Sequence, residues 1–566
     1  MVGQIVSTGR RQLADRLFRR RSVHLVVLAL VVLMATLPGL ASLPPLDRDE
    51  PRYLQATKQM VESGDYVDIR FQDEHRYKKP AGIYWLQSLA VAATGEGARA
   101  PIWAYRLVSV AALLIAVFGL YWTGTALFGA EAGFAAALVL ATIFGAAFEG
   151  RVGKTDAMLL AMTVLAQGAL ARIHAGARTG APARLSHAVV FWLAQGVGAM
   201  IKGPIPLMAS ALTVVALSVM ERDWRWTKRL RPLIGIAILV AVVLPWLVLI
   251  VHRTGFAFFH EAVGKDLMGK VASGQESHGA PPGYYVLTFS LFFWPFGAMA
   301  VGAGLAAISQ WRESPALRFC LAWYIPLWLA FELIATKLPH YVLPAYPALA
   351  LLLGWGATSD RLNFSALRNW QRWVWRLAAF GFGLVTLGLV VVALAASPYL
   401  TGGFDLVALP LAAAVLVAGS LGLSSGLVAG TGRLAGAAIA AAATYGLFFG
   451  GLAPSLGPLW PSRTIAEIVA RDKPCATTRL AAASYHEPSL VFLVGTDTIL
   501  TDVAGVASHL EGDPACALGV VPTGDLDRLD AALKPSGLAA DRLATVDGWN
   551  LADGKHVHLA VLKARR

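Results

Sequence analysis

Asp49 and Glu50 stand side by side in the densest polar stretch of the chain, PPLDRDEPRYLQATKQMVESGDYVDIRFQDEHRYKKP, residues 44–80. With Asp47 they form an acidic cluster directly after an apolar run. A carboxylate in that position can serve as a general base or as an electrostatic stabiliser at a membrane–water boundary. An acidic residue ahead of Pro51 can equally cap the helix that follows, so Glu50 can cap while Asp49 faces a site. Asp156 carries the same two readings. It opens an apolar run after Arg151 and Lys154 and stands next to Thr155, as a helix cap or as a second carboxylate. Arg52, Lys78 and Lys79 are cations that suit anionic headgroups or an anionic substrate. His260, Lys265, Asp266, Lys270 and His278 admit both readings too. Lys337 lies between apolar runs, where a charge needs a reason.

The elements that must hold these groups are apolar. Of 566 residues 56% are hydrophobic and 15% charged, against about 25% charged in soluble domains, and the mean hydropathy is +0.58. Repeated apolar runs of about 20 residues make this a polytopic helical membrane protein. The net charge of +13 does not point to nucleic acid, because Lys and Arg cluster between the runs and no basic domain or aromatic stacking platform is evident.

Orientation follows from the basic residues. Arg10, Arg11, Arg16, Arg19, Arg20 and Arg21 precede the first run, Val23–Leu43, and hold the N-terminus in the cytoplasm, making the run a signal anchor. Ala81–Thr94 is apolar but only 14 residues long, short of the roughly 17 needed to span. It reads as an interfacial helix with Tyr84 and Trp85 at headgroup level. The later spans are Ile102–Phe128, Ala132–Phe148, Ala157–Ala171, Ala188–Ile201, Pro204–Met220, Leu233–Val251, Tyr285–Ile308, Leu317–Ala335, Tyr341–Trp355, Leu377–Ala396, Leu406–Val428 and Leu434–Leu452. This model has about 13 transmembrane helices and puts the arginine-rich loops around Arg178, Arg225, Arg318 and Arg361 inside; counting Ala81–Thr94 as a span would put them outside. It also gathers four polar segments on the outer face: Asp47–Lys79, Glu149–Asp156, His252–Gly283 and Thr336–Tyr346, joined by Lys202-Gly203-Pro204.

The expected organisation is a membrane domain over residues 1–452, with its first outer loop at 44–101, and a soluble outer α/β domain over residues 453–566. In the latter, Ser462–Ala470 and Asp525–Leu533 read as helices, Ser489–Val494 and Ala517–Val521 as buried strands, and Val557–Leu562 as a last strand after a turn at Asp553-Gly554. The segment has no phosphate-binding loop, zinc spacing or nucleophile elbow, so it reads as structural or acceptor-binding. Cys475 and Cys516 fall within it and form a disulfide if it faces an oxidising compartment. Cys320, inside an apolar run, is an inert packing residue.

Several motifs resemble bacterial GT-C glycosyltransferases, and within them the aminoarabinose transferases acting on lipid A, in the wider protein O-mannosyltransferase-like superfamily. They are Asp49-Glu50-Pro51-Arg52-Tyr53, Ser63-Gly64-Asp65-Tyr66, Tyr77-Lys78-Lys79-Pro80, Tyr84-Trp85, Arg151…Asp156, Lys202-Gly203, Lys337-Leu338-Pro339-His340-Tyr341, Tyr485-His486-Glu487-Pro488-Ser489-Leu490 and Asp547-Gly548-Trp549-Asn550. The resemblance covers nearly the whole chain. It implies a GT-C membrane fold and inverting transfer of a sugar from a polyprenyl-phosphate donor to lipid A, lipopolysaccharide or another envelope acceptor. The site would lie on the periplasmic face of a bacterial inner membrane, and the chain would act as a monomer.

By the same resemblance Asp49 matches the catalytic carboxylate and Asp156 the second acidic position. Arg52, Lys79 and Lys337 match donor-binding cations and Tyr341 a tyrosine lining the site, with Glu50, Lys78, Arg151, Lys202, Asp266 and His340 in support. Relatives commonly carry Glu before the Lys-Pro and a His in the third outer loop, a pair that can hold a metal. Here Lys78 and Asp266 stand in those places. An ammonium is a poor ligand, so no metal cofactor is expected and a Lys78–Asp266 salt bridge takes its place. Two other classes compete: protein O-glycosylation, and transport of polyprenyl lipids. Transporters show internal repeats and mid-membrane charges, whereas here the charges collect outside the spans.

Overall fold

The computed structural model describes residues 21–46, 49–272, 279–359, 367–424 and 430–565. Among the residues singled out above, Arg10, Arg11, Arg16, Arg19, Arg20, Asp47, His278 and Arg361 lie outside the described residues.

After helix α1 (Arg21–Thr36) the polar stretch folds as helix α2 (Asp49–Ser63), a short hairpin of β1 (Arg70–Phe71) and β2 (Glu74–His75), and helix α3 (Gly82–Ala92). The apolar side of α2 is buried through Tyr53, Leu54, Ala56 and Met60, as its helical spacing requires. Helix α3 has 11 residues, too few to cross a bilayer. The expected headgroup position of Tyr84 is overturned, however. Because α3 packs against α2, Tyr84 is fully buried with its ring stacked on Tyr53 at 5.6 Å. Trp85 is 38% exposed and its indole donates to the Tyr66 carbonyl at 2.7 Å.

The helical body continues with α4 (Ile102–Leu127), α5 (Ala130–Thr142), α6 (Phe144–Glu149), α7 (Asp156–Arg178), α8 (Leu185–Lys202), α9 (Ile205–Glu221), α10 (Pro232–Thr254), α11 (Tyr284–Phe292), α12 (Gly297–Gln310), α13 (Pro315–Leu333), α14 (Tyr346–Thr358), α15 (Asn369–Thr401), α16 (Ala408–Ser424) and α17 (Thr431–Leu447). Among the described residues, eight helical stretches are long and apolar enough to cross a membrane by length and composition, or nine if α11 and α12 count as one bent span. Four shorter apolar helices of 10–17 residues accompany them: Arg21–Thr36, Ala130–Thr142, Ile205–Glu221 and Ala408–Leu423.

Two runs expected as straight spans are broken. Ala132–Phe148 breaks at Ile143, whose ψ of 139° is extended. Tyr285–Ile308 bends by 119° between α11 and α12, where Pro295 lacks the amide a continuous helix needs. The breaks meet, the Phe144 amide donating to the Trp294 carbonyl at 2.9 Å. Length and apolarity cannot reveal such a pairing. Close packing of α4 on α5 rests on Gly124, where a Cβ would stand 2.5 Å from the Gly133 Cα.

Beyond helix α18 (Pro461–Asp472) the chain forms a mixed five-stranded sheet of β3 (Leu480–Ala483), β4 (Ile499–Thr501), β5 (Leu518–Pro522), β6 (Ala539–Asn550) and β7 (Lys555–Arg565), in the order β4-β3-β5-β7-β6. Strands β3, β4 and β5 run parallel, while β7 is antiparallel to both β5 and β6. Helices α19 (Pro488–Val494), α20 (Val503–Gly512) and α21 (Leu526–Leu533) complete it. Helix α19 corrects the strand expected at Ser489–Val494. A short apolar run has no decisive period, and here Pro488 opens a helix. Its Phe492 meets Tyr105 edge-on at 5.6 Å. Cys475 and Cys516 are disulfide-bonded with Cα atoms 5.4 Å apart, and Cys320 is buried.

The sheet is anchored to the first loop. Gln55 donates to Thr496 Oγ1 at 2.7 Å, Gln72 to the carbonyls of Thr496 and Thr498 at 3.0 and 2.5 Å, and Thr496 to Glu62 at 2.7 Å.

Candidate active site

Glu50 sets the position of everything around it. Its carboxylate is fully buried and receives the Arg106 guanidinium on both oxygens, Nε to Oε1 at 2.8 Å and Nη2 to Oε2 at 2.9 Å. It also accepts the amides of Leu46 at 2.6 Å and Gly153 at 2.7 Å. Arg106 spends its other donors on the carbonyls of Leu40, Leu43 and Pro44. Two buried charges thus pin the start of α2 to α4 and to the loop before α7, with their hydrogen-bonding capacity filled. Thr155 makes no side-chain cap to α7, which corrects that capping reading.

Asp49, one residue earlier, lines a cavity of about 590 Å³. Every outer polar segment expected to converge contributes to it: Tyr53, Arg76, Lys78 and Lys79 from the first loop; Glu149, Lys154, Thr155 and Asp156; Lys202; Lys270; and Thr336 with Leu338–Tyr341. Phe148, Phe292, Leu338 and Pro339 give it an apolar side. The turn between β6 and β7, Leu551–Asp553, forms another wall.

The charges are mutually arranged. Lys202, the last residue of α8, places its ammonium 2.5 Å from Asp156 Oδ1 at the first turn of α7 and 5.1 Å from the Tyr341 ring centre. Gly203 beyond it has φ 65°, the left-handed turn that ends α8. Lys154 lies 3.3 Å from Glu149. His340 sits between two carboxylates, 3.7 Å from Glu149 and 3.8 Å from Asp156. Burial acts to raise the Asp49 carboxyl, but the Lys154 and Arg76 cations and His340 outweigh it, so its pKa lies below the ordinary value and it is ionised at neutral pH. Arg76 is buried with its guanidinium 5.0 Å from the Tyr53 ring centre.

Asp266 bridges two cations, receiving Lys79 on Oδ2 at 2.8 Å and Lys270 on Oδ1 at 2.7 Å. The two polar segments are therefore tied, but through Lys79 instead of the expected Lys78. Burial and the neighbouring Lys270 pull the Lys79 pKa down to about 8 against the opposing effect of Asp266.

Three cations singled out in the sequence are placed elsewhere. Arg52 is half-buried on α2 and is not among the residues lining the cavity. Lys337 is buried, donating to the carbonyls of Ala280 at 2.9 Å and Ile334 at 2.6 Å. Arg151 caps the end of α1, donating to the carbonyls of Ala35 and Pro38 with its guanidinium over Phe449. The cavity instead holds Arg76, Lys154 and Glu149, which stood out in no spacing pattern. Their only signal was membership in the polar segments.

Comparison with known proteins bears on this geometry. Residues 78–249 match the family described as dolichyl-phosphate-mannose-protein mannosyltransferase. An undecaprenyl phosphate-alpha-4-amino-4-deoxy-L-arabinose arabinosyl transferase of Pseudomonas paraeruginosa is 30% identical over 379 residues, covering 64% of each chain, so the match spans 64% of that relative's length. Its counterpart in Pseudomonas aeruginosa is 30% identical over 397 residues, covering 68% of this chain and 66% of its own. The crystal structure of ArnT from Cupriavidus metallidurans bound to undecaprenyl phosphate superposes with a TM-score of 0.74 at 19% identity, over 95% of this chain and 97% of the other. The oligosaccharyltransferase of Archaeoglobus fulgidus matches with a TM-score of 0.53 at 12% identity, over 91% of this chain and 72% of its own.

Proposed function

We propose that this chain, an aminoarabinose-transferase-like protein with a GT-C fold, is an inverting glycosyltransferase. It moves one sugar from a polyprenyl phosphate to lipid A, lipopolysaccharide or another envelope acceptor. The observation that carries this reading is the shared cavity, in which Asp49 and Asp156 stand among Arg76, Lys78, Lys79, Lys154, Lys202 and Lys270 beside an apolar wall. Breaking the anomeric carbon–oxygen bond leaves charge on the departing phosphate, and fixed cations in the cavity stabilise it. The acceptor oxygen attacks the opposite face of the anomeric carbon. If it is a hydroxyl, ionised Asp49 takes its proton; if it is a phosphate, positioning suffices. Lys202 pairs with Asp156 and holds it in the same space.

The reading carries a topology. About 13 crossings, from the long helices, the bent pair and the four shorter ones, put the N-terminus in the cytoplasm and the cavity outside. The region from residue 453 is then a periplasmic domain, and a bacterial inner membrane is the setting. The enzyme works as a monomer, and the cavity needs no metal at Asp266, which is already shared between two ammonium groups. The match of residues 78–249 to a protein mannosyltransferase family keeps protein as the alternative acceptor. Mass spectrometry of lipid A, envelope glycans and envelope proteins from cells with and without this protein tests both. A sugar mass added to lipid or glycan supports the reading, and one added to protein alone replaces it.

A further inference from the structure

We propose that the β6–β7 hairpin carries a divalent transition-metal site whose protein ligands are His556 Nδ1 and His558 Nε2. The two residues are two apart on β7, so their side chains share one face. The ring nitrogens His556 Nδ1 and His558 Nε2 stand 3.1 Å apart. Two nitrogens bound to one ion at about 2.0–2.1 Å are separated by about 2.9 Å at a right angle and about 3.4 Å at a tetrahedral angle. The observed spacing falls within that interval before any ion is added.

The surroundings fix which nitrogen offers its lone pair. Asp547, the partner of His558 in the β6–β7 register, places Oδ1 2.5 Å from His558 Nδ1. A carboxylate accepting the Nδ1 proton leaves the lone pair on Nε2 and raises its basicity, the arrangement that orients metal-bound histidines. Trp549, the register partner of His556, stands edge-on to that imidazole at 5.2 Å and 87°. With the His558 Nδ1 proton turned to Asp547, His556 Nδ1–H donates to His558 Nε2; metal binding moves that proton through solvent to His556 Nε2 and frees the Nδ1 lone pair. The imidazole and carboxylate of the His558–Asp547 pair are each 59% exposed, so an ion can reach them.

Among the described residues no three His, Cys, Asp or Glu side chains converge on one point. The remaining positions therefore belong to water or to an incoming oxygen or nitrogen ligand. Imidazole pairs select copper(II) and zinc over magnesium or calcium. Because the same hairpin closes at Leu551–Asp553 on the cavity wall, an ion here stiffens a strand pair leading to that wall.

The test uses the full chain in detergent, purified without a histidine tag and stripped with chelator. Copper(II) is titrated by calorimetry and by electron paramagnetic resonance, and zinc by calorimetry. One copper per chain with hyperfine structure from two nitrogens is expected. H556A and H558A should each lose the two-nitrogen signal and weaken binding at least tenfold, and D547A should weaken it about 10–100-fold. These side chains are at the surface, so near-ultraviolet circular dichroism should remain that of the parent. The proposal is overturned if the H556A/H558A double variant binds copper and zinc as the parent does. A parent spectrum lacking two-nitrogen coordination would overturn it equally, leaving the imidazole pair a plain hydrogen bond.

Discussion

Lys202 joins the end of α8 to the start of α7, its ammonium 2.5 Å from Asp156 Oδ1. The pair sets Asp156 apart from Asp49 in the cavity that both line. In the proposed reaction Asp156 is committed to a half-buried cation, while Asp49, ionised beside Lys154 and Arg76, would accept the proton.

If Lys202 acts by holding Asp156, the two residues form one unit. K202M and D156N should each lower kcat about 10²-fold, and the double variant should be little worse than either single one, because coupled residues do not add. K202R should recover part of the loss. Steady-state kinetics in detergent micelles would show this, and fully additive losses would separate the two roles.

The Glu50–Arg106 pair predicts a stability effect without a chemical one. Removing one partner strands a buried charge, which costs about 3–5 kcal/mol. E50Q should lower the thermal midpoint and yield of folded protein, while whatever folds turns over near the parental rate. A folded E50Q protein with normal stability and no turnover would move Glu50 into the chemistry.

Lys79 gives the pH dependence a sign. Its pKa is depressed to about 8, so the ammonium is present below that pH and lost above it. Donor KM should therefore rise as pH climbs past about 8, with an alkaline limb that K79R abolishes, since arginine keeps its charge. Asp266 raises the Lys79 pKa, so D266N should move the limb to lower pH. An unchanged limb in K79R would assign it to another group.

The Cys475–Cys516 bond closes a loop with a sequence separation of 41. Replacing both cysteines with serine should cost about 2–4 kcal/mol of stability in the C-terminal sheet. Proteolysis protection of that region, compared with the parent, reads the loss, and equal protection would contradict it.

What the sequence made legible follows physical lines. Apolar run length located most helices, and the basic residues between them indicated which polar segments meet, as Asp49, Asp156, Lys202 and Tyr341 do. Periodicity found α2 and its buried Tyr53. What stayed hidden depends on tertiary partners. Arg106 lies inside an apolar helix, and nothing local marks it as the counterion of Glu50. Arg151 and Lys337 looked available until the backbone carbonyls they satisfy were visible. Tyr84 has the composition of a headgroup anchor but packs on Tyr53. The β6–β7 turn reaches the cavity over hundreds of residues of sequence, a distance no motif spans.

The central claim is that Asp49 drives sugar transfer from a polyprenyl phosphate in this cavity. The parent and D49N proteins, each reconstituted with an undecaprenyl-phosphate-linked aminoarabinose donor and lipid A, can be compared by mass spectrometry of the lipid product. The account predicts lipid A heavier by one sugar with the parent, and formation slowed about 10²–10⁴-fold by D49N despite unchanged folding. Product formed at the parental rate by D49N would contradict it.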